Sequence, residues 1–278
     1  VNASPVLFGI VNVTEDSFSD GGAYLDPATA LAHARRLKEH GADVVDLGAA
    51  ASNPRARPVA PEIEIARLRP LVGALKRDGA KISIDSFAVE TQRWALSQQV
   101  DFLNDIHGFP KPEIYPDLAR SSAKLVVMHA VRSDGPARRE DETPPDLFER
   151  IVGFFESRIV ALTRAGVDRG RLILDPGMGL FLGNSRDASF MVLRRVADLK
   201  RAFGVPLLIS VSRKSFLRPK GRAAPEAGAA TLAAELYALV AGADYIRTHD
   251  PQALRDGLFV LRNLEEQNVK EIRESDLL

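Results

Sequence analysis

Cysteine is absent from the 278-residue chain. That absence excludes disulfides, thiolate metal sites and a cysteine nucleophile, and it leaves nothing that requires an oxidising compartment, so a cytoplasmic location is expected. An excess of one charge is absent too. The 37 basic residues balance 37 acidic ones, which removes the bulk electrostatic case for a nucleic-acid or anionic-membrane partner. Long hydrophobic runs are missing: no segment approaches the roughly 18 apolar residues of a membrane span. The opening "VNASPVLFGIVNV" carries no basic flank of the kind a secretory signal needs. The glycine-rich stretch "DPGMGLFLG" (175–183) lacks the Lys-Ser or Lys-Thr pair of a phosphate-cradling P-loop.

What is present is a strict alternation of short apolar runs with helix-length amphipathic segments. The runs are "VLFGIVN" (6–12), "VVDLG" (44–48), "KISID" (81–85), "DFLND" (101–105), "KLVVMH" (124–129), "RLILD" (171–175), "PLLISV" (206–211) and "DYIRTH" (244–249). Helical patterns lie near 27–40, 61–78, 88–98, 112–121, 144–165, 187–202, 225–241 and 250–266. In the fifth, Leu147, Ile151, Phe154, Phe155, Ile159 and Leu162 fall on one face. Gly41, Gly79, Gly166, Gly204 and Gly242 follow helical segments as C-terminal caps would. Eight successive βα units predict a closed (β/α)₈ barrel, with a doubly wound open sheet as the alternative. With no linker or shift in composition, one domain over 1–278 is expected, ending in a fraying helix and polar tail from about 266.

A barrel carries its site on the loops after its strands, so the polar residues at strand C-terminal ends matter most. They are Asn12, then Ser52 and Asn53 beyond the second strand, Asp85, Asn104 with Asp105, His129, Asp175, Ser212 with Arg213 and Lys214, and Arg247 with His249. Each taken alone has a plainer role. Asp85-Ser86 and Asn104-Asp105 suit turns or helix caps, Asp175 before a proline suits a turn, and either histidine suits a hydrogen-bonded wall. Helix capping does not predict such a group on nearly every strand, however, and the set as a whole points to one shared site. Carboxylates, an amide and a lysine suit a neutral heterocycle that presents an N–H edge and a carbonyl. Arg247, His249 and Asn12, neighbours around a closed barrel, suit an anion such as diphosphate, with Mg²⁺ beside it because hard cations favour oxygen ligands. The long first loop, "NVTEDSFSDGGAYLD", has the length of a functional segment, with Phe18 a large apolar residue near its middle.

In order along the chain, "NVTEDSFSDGG", "IDS", "NDI", "MH", "DPGMG", "SRKS" and "RTH" resemble the dihydropteroate synthases, pterin-binding (β/α)₈ enzymes of folate biosynthesis. The resemblance runs from Phe8 to about Leu264. It is closest to the mobile, sulfonamide-insensitive bacterial type, through "FGIVN", "GFPKPEIYPDLA", "SVSRKSFL" and "LAAELYALVAGADYIRTH". It implies condensation of 6-hydroxymethyl-7,8-dihydropterin diphosphate with 4-aminobenzoate, releasing diphosphate. By motif, Asp175 takes the pterin amino group and ring N–H, Asp85 and Asn104 the opposite ring-nitrogen edge, and Lys214 the pterin oxygen and N5. Ile106 and Met128 line the slot. Arg247 covers a pterin face and, with His249, Asn12 and Ser52, holds the diphosphate, Asn12 also serving Mg²⁺. Phe18, Pro54, Leu180, Ser212 and Lys214 form the aminobenzoate pocket. Lys214, Arg247 and Asp85 carry the catalysis, and a homodimer is the usual assembly.

Two positions depart from the family pattern. The second loop reads Ser52-Asn53-Pro54 where an arginine usually stands in the middle, leaving Arg55 or Arg57 as substitutes. After Gly179 the chain reads Leu180-Phe181-Leu182, with no lysine and added apolar bulk beside the aminobenzoate pocket. Such bulk excludes a sulfonamide's extra ring at little cost to the substrate, and so implies drug resistance. The alternatives are a methyltetrahydrofolate-type methyltransferase, whose substrate lacks the diphosphate that Arg247 and His249 suit, and a catalytically silent pterin-binding protein.

Overall fold

Eight apolar strands pair side by side in parallel, an arrangement that buries both faces of a sheet and needs helical crossovers. The computed structural model describes residues 5–14, 26–50, 58–132, 142–218 and 223–275, with backbone alone at 225 and over 265–275. The strands are β1 Val6–Asn12, β2 Val44–Gly48, β3 Lys81–Asp85, β4 Phe102–Asp105, β5 Lys124–Met128, β6 Leu172–Asp175, β7 Leu208–Ile209 and β8 Tyr245–Thr248. Their order is β6-β5-β4-β3-β2-β1-β8-β7. The two ends meet through a parallel bridge between Leu174 and Leu207, with Leu174 N–H donating to the Pro206 carbonyl at 2.9 Å. The sheet therefore closes as a single (β/α)₈ barrel rather than an open doubly wound sheet.

Around it run α1 Pro27–Glu39, α2 Pro61–Arg77, α3 Val89–Ser97, α4 Tyr115–Arg120, α5 Leu147–Arg164, α6 Arg186–Arg194, α7 Val196–Phe203, α8 Gly228–Val240 and α9 Pro251–Ser275. Local signals account for many of their ends. Asp26 accepts from Thr29 N–H at 2.8 Å before Pro27, a side-chain cap followed by proline at the first helical position. The five predicted cap glycines all have positive φ. On α5 the apolar face buries Leu147, Ile151, Phe155, Ile159 and Leu162.

Three elements differ from expectation. The helix predicted over 187–202 breaks at Arg195 into α6 and α7. Arg195 sets its guanidinium 3.3 Å from the Phe148 ring centre and pairs with Asp198 at 3.0 Å, contacts that reward leaving the helical path. The fourth helix opens as a 3₁₀ turn, Pro112–Ile114, where Pro112 and Pro116 remove backbone donors. Regular pairing in β7 shrinks to two residues, since Pro206 has no N–H to give a neighbour.

Side chains alternate between the two faces of each strand. The lower barrel interior is an apolar plug of Phe8, Val44, Phe102, Val126, Ile173, Leu208 and Tyr245, with Phe8 edge-on to Phe102 at 4.9 Å. Two residues further along the same strands, the register places Asp46, Asn104, Met128, Asp175 and Arg247 on the inner face. The interior thus changes from apolar to charged on approaching the C-terminal mouth.

Candidate active site

Arg247 is the centre of that mouth. Its Nε donates to Asp46 Oδ2 at 2.5 Å and its Nη2 to Asp85 Oδ2 at 2.8 Å, so one guanidinium ties β8 to β2 and β3 across the barrel. Burial alone would make it easier to deprotonate, but the Asp46 and Asp85 carboxylates more than offset this and hold its pKa above the ordinary arginine value. Asp85 is raised as well, but for a carboxyl this is toward the neutral form. Burial pushes it up to about 7, with Arg247 pulling it back.

Across the mouth, Asp175 is buried and its Oδ1 accepts from Gly177 N–H at 2.8 Å. Burial raises it to about 6, against the pull of Lys214. Lys214 is lowered to about 8, chiefly by burial, with Asp175 opposing the shift. Its Nζ donates to the Met178 carbonyl at 2.9 Å and lies 5.0 Å from the Phe181 ring centre. Asn104 is 3% exposed, and its Oδ1 has no hydrogen-bond partner among the described residues. A buried acceptor without a partner is costly, and a ligand N–H at this spot would satisfy it. Met128 and Ile106 supply buried apolar surface beside these groups.

The loop Asp175–Gly183 owes its path to two glycines. Gly177 has φ +72°, and a Cβ there would lie 2.3 Å from the His129 carbonyl oxygen, which only glycine avoids. Gly179, at φ +68°, lets the Lys214 stem lie against it: an added Cβ would meet Lys214 Cδ at 3.3 Å. The next residues form a 3₁₀ turn, which divides the predicted apolar rim. Leu180 and Phe181 are half-buried, whereas Leu182 turns wholly into the core. On the opposite side, Ser212 Oγ accepts from His249 N–H at 3.1 Å and lies 3.0 Å from His249 Nδ1, linking the loops after β7 and β8.

The residues singled out in the sequence therefore group around one mouth. Asn12, Asp85, Met128 and Asp175 close their strands on the inner face, and Asn104 and Arg247 lie there one residue before their strands end. Ile106, Ser212, Lys214 and His249 follow on the adjoining loops. Phe18, Ser52 and Pro54 lie outside the described residues, as do Asn53, Arg55 and Arg57. His129 is a wall group: its Nδ1 faces the Pro176 carbonyl at 3.3 Å, its ring meets Phe154 edge-on at 5.2 Å, and burial lowers it to about 4. Asp46, fully buried on β2, is not among the polar groups at strand ends and so does not stand out in the sequence. Its signal was a carboxylate inside "VVDLG", two residues before Gly48 and so on the same face.

Chemically, the mouth sets carboxylates and an amide acceptor opposite a lysine and an arginine. That arrangement can bind a flat heterocycle by its N–H edges and stabilise negative charge beside it. Among the described residues, no group of three or more His, Asp or Glu side chains could hold a metal ion, and no helix is long and apolar enough to cross a membrane.

Comparison with known proteins agrees with this geometry. A family model described as pterin binding enzyme matches residues 8–249. Type-2 dihydropteroate synthase of Escherichia coli is 56% identical over 267 residues, covering 96% of this chain and 98% of that protein. Among solved structures, dihydropteroate synthase of Xanthomonas albilineans with 4-aminobenzoic acid superposes with a TM-score of 0.85 at 32% identity, covering 95% of this chain and 94% of the other. The Coxiella burnetii enzyme in complex with pteroic acid gives 0.82 at 27% identity, covering 94% and 93%.

Proposed function

Since the chain belongs to the pterin-binding enzyme family, among its dihydropteroate synthases, we propose that it condenses 6-hydroxymethyl-7,8-dihydropterin diphosphate with 4-aminobenzoate to give 7,8-dihydropteroate and diphosphate. The observation that carries this reading is the pairing of Asp175 and Lys214 on one side of the mouth with Asp85 and the Asn104 acceptor, without a partner among the described residues, on the other.

In this reading Asp175 accepts two parallel N–H bonds from the pterin amino edge. Lys214 exchanges its Met178 carbonyl for the pterin oxygen and N5, one charge-assisted bond for another. Asp85 and Asn104 take the opposite edge, between the apolar walls of Ile106 and Met128. Arg247 lies over the pterin face, and with His249, Asn12 and Ser52 it holds the diphosphate. Loss of diphosphate leaves a pterin-stabilised cation at the methylene; the neutral arylamine attacks it, forming the C–N bond, and the resulting anilinium gives up a proton to water or the departing diphosphate. An arylamine needs no dedicated base, so positioning and anion stabilisation carry the catalysis. Phe18, Pro54, Leu180, Ser212 and Lys214 surround the aminobenzoate.

The donors present fit Mg²⁺ as a companion of the diphosphate. Asn12 offers one amide oxygen, and a hard cation that keeps several waters and takes substrate phosphate oxygens needs no larger protein cage. Bound there, Mg²⁺ would offset charge on the leaving diphosphate.

The half-buried Leu180 and Phe181 support poor inhibition by sulfonamides, and thus resistance, because they crowd the edge of the aminobenzoate pocket where the drug's extra ring would project. Homodimerisation is supported by Tyr237, Val240, Phe259, Val260 and Leu264, all exposed on the mutually packed α8 and α9. Light scattering at twice the 30.3 kDa chain mass would check it. The cytoplasmic location expected from the cysteine-free composition belongs to the same proposal.

A coupled diphosphate-release assay with both substrates and Mg²⁺ tests the whole. Turnover should depend on both substrates and persist at sulfonamide concentrations that stop a chromosomal enzyme. Release no faster than in buffer would overturn the function, and equal drug sensitivity would overturn the resistance.

A further inference from the structure

We infer that a buried polar brace of Glu64, Ser86, Gln92 and Asp105 fixes the edge of the mouth formed by Asp85 and Asn104, with Gln92 as its central positioning residue. The inference rests on the proposed role of Asp85 and Asn104 as pterin ligands. Ser86 follows Asp85 in the chain and Asp105 follows Asn104, so whatever holds the second member of each pair aims the first. Ser86 N–H donates to the Asn104 carbonyl at 3.0 Å, which carries the β3–β4 pairing one residue beyond Asp85.

Gln92 reaches both loops from α3. Its Nε2 donates to the Ser86 carbonyl at 2.9 Å and to Asp105 Oδ2 at 2.9 Å. These two bonds use both hydrogens of one amide, and they fix the spacing of two loops rather than the position of either. From α2, Glu64 Oε2 accepts the Ser86 hydroxyl at 2.7 Å, and Ser86 Oγ in turn accepts Ala88 N–H at 3.2 Å. Asp105 Oδ1 accepts His107 N–H at 2.8 Å, closing the turn that presents Ile106. The plainer role allowed for Ser86 and Asp105 in sequence, that of forming turns, thus accompanies their place in the brace.

Packing alone does not explain such a network. Glu64, Ser86, Gln92 and Asp105 are each 1–3% exposed, at helix, loop and strand-end positions where an apolar side chain would bury at less cost. What hydrogen bonds provide there and apolar contact does not is direction, and recognition groups must be held within about 0.5 Å of their working geometry. No member of the brace closes its strand on the inner face, so its effect on the ligand runs through Asp85, Asn104 and Ile106.

Gln92→Met tests this by removing both donors at nearly constant volume. The KM for pterin diphosphate should rise about tenfold while that for 4-aminobenzoate stays within about twofold, a split that general loosening would not produce. Glu64→Gln keeps an acceptor for Ser86 and should remain within about twofold of the parent, whereas Glu64→Met should reproduce part of the pterin defect. Should the methionine variants not fold, Ser86→Ala deletes one hydroxyl and should still raise the pterin KM about threefold. Unchanged pterin KM in folded Gln92→Met and Ser86→Ala, or an equal rise in both KM values, would overturn the brace. Asp85→Ala separates this from failure of the underlying reading: if it too leaves pterin affinity unchanged by calorimetry, the ligand assignment is at fault, and if it weakens affinity while Gln92→Met does not, the brace is.

Discussion

The two halves of the barrel interior are built from the same strands and the same alternation of side chains, yet they solve opposite problems. In the lower half, Phe8, Val44, Phe102, Ile173 and Tyr245 fill space with apolar surface and edge-on rings. Two residues higher, Asp46, Asn104, Asp175 and Arg247 occupy the same face with charge and amide groups. Moving up one pleat exchanges stability for recognition. Burial that costs nothing in the plug shifts Asp85, Asp175 and Lys214 toward their neutral forms at the mouth. Charges held out of water and incompletely paired bind a complementary ligand strongly, because the ligand satisfies what the fold has left unsatisfied.

The largest effect is expected from removing the lysine of the mouth. Lys214→Ala should lower kcat/KM about 100-fold or more while leaving the melting temperature near that of the parent, since among the described residues its Nζ hydrogen-bonds a loop carbonyl at Met178 and lies beside the half-buried Phe181 ring. Near-normal kinetics would mean that the "SRKS" loop does not serve the site. The converse change belongs to the plug. Phe8 is 1% exposed, and Phe8→Ala should cost about 3–5 kcal/mol of unfolding free energy, with both KM values little altered below the new melting point. Denaturant titration and kinetics together check it, and a large KM change in a protein that remains folded would show that plug and mouth are not separable.

Much of this division was legible in the sequence. The count of eight apolar runs, the glycines after the helices and the 3.6-residue period of α5 identified the barrel because they are local patterns. Asn12, Asp85, Asn104 and Asp175 could be gathered at one end because each closes a run. Contacts over long separations were not legible. Arg195 interrupts the sixth helix for a ring on α5, and Arg247 bonds carboxylates 201 and 162 residues away. Asp46 was passed over because a mid-strand carboxylate acquires meaning only once strand register puts it beside Arg247. Gln92 reads in sequence as an ordinary helical residue; only the meeting of two loops beneath it gives its amide a function.

The smallest expected effect sharpens the comparison most directly, because it turns the charge of the mouth into a dependence of stability on pH. In the folded protein Asp85 and Asp175 stand at about 7 and about 6 against an ordinary 3.8. A carboxyl whose pKa is raised on folding favours the fold below its unfolded value, and that contribution is lost as pH rises through the folded value. Lys214, lowered to about 8 from 10.5, favours the fold above its unfolded value and loses that contribution as pH falls through 8. Both trends place the greatest electrostatic cost near pH 7–8, where the carboxylates and the ammonium are charged together. Asp175→Asn keeps an acceptor for Gly177 N–H and removes the carboxyl titration. It should therefore raise the melting temperature by about 2–4 °C at pH 7.5, show no such gain at pH 4, and weaken pterin binding at least about tenfold in calorimetry. The plug variant Phe8→Ala should lose the same stability at both pH values. A gain for Asp175→Asn that is equal at pH 4 and pH 7.5 would mean that the mouth does not hold its carboxylates under electrostatic strain, and the contrast between the two halves would then reduce to packing.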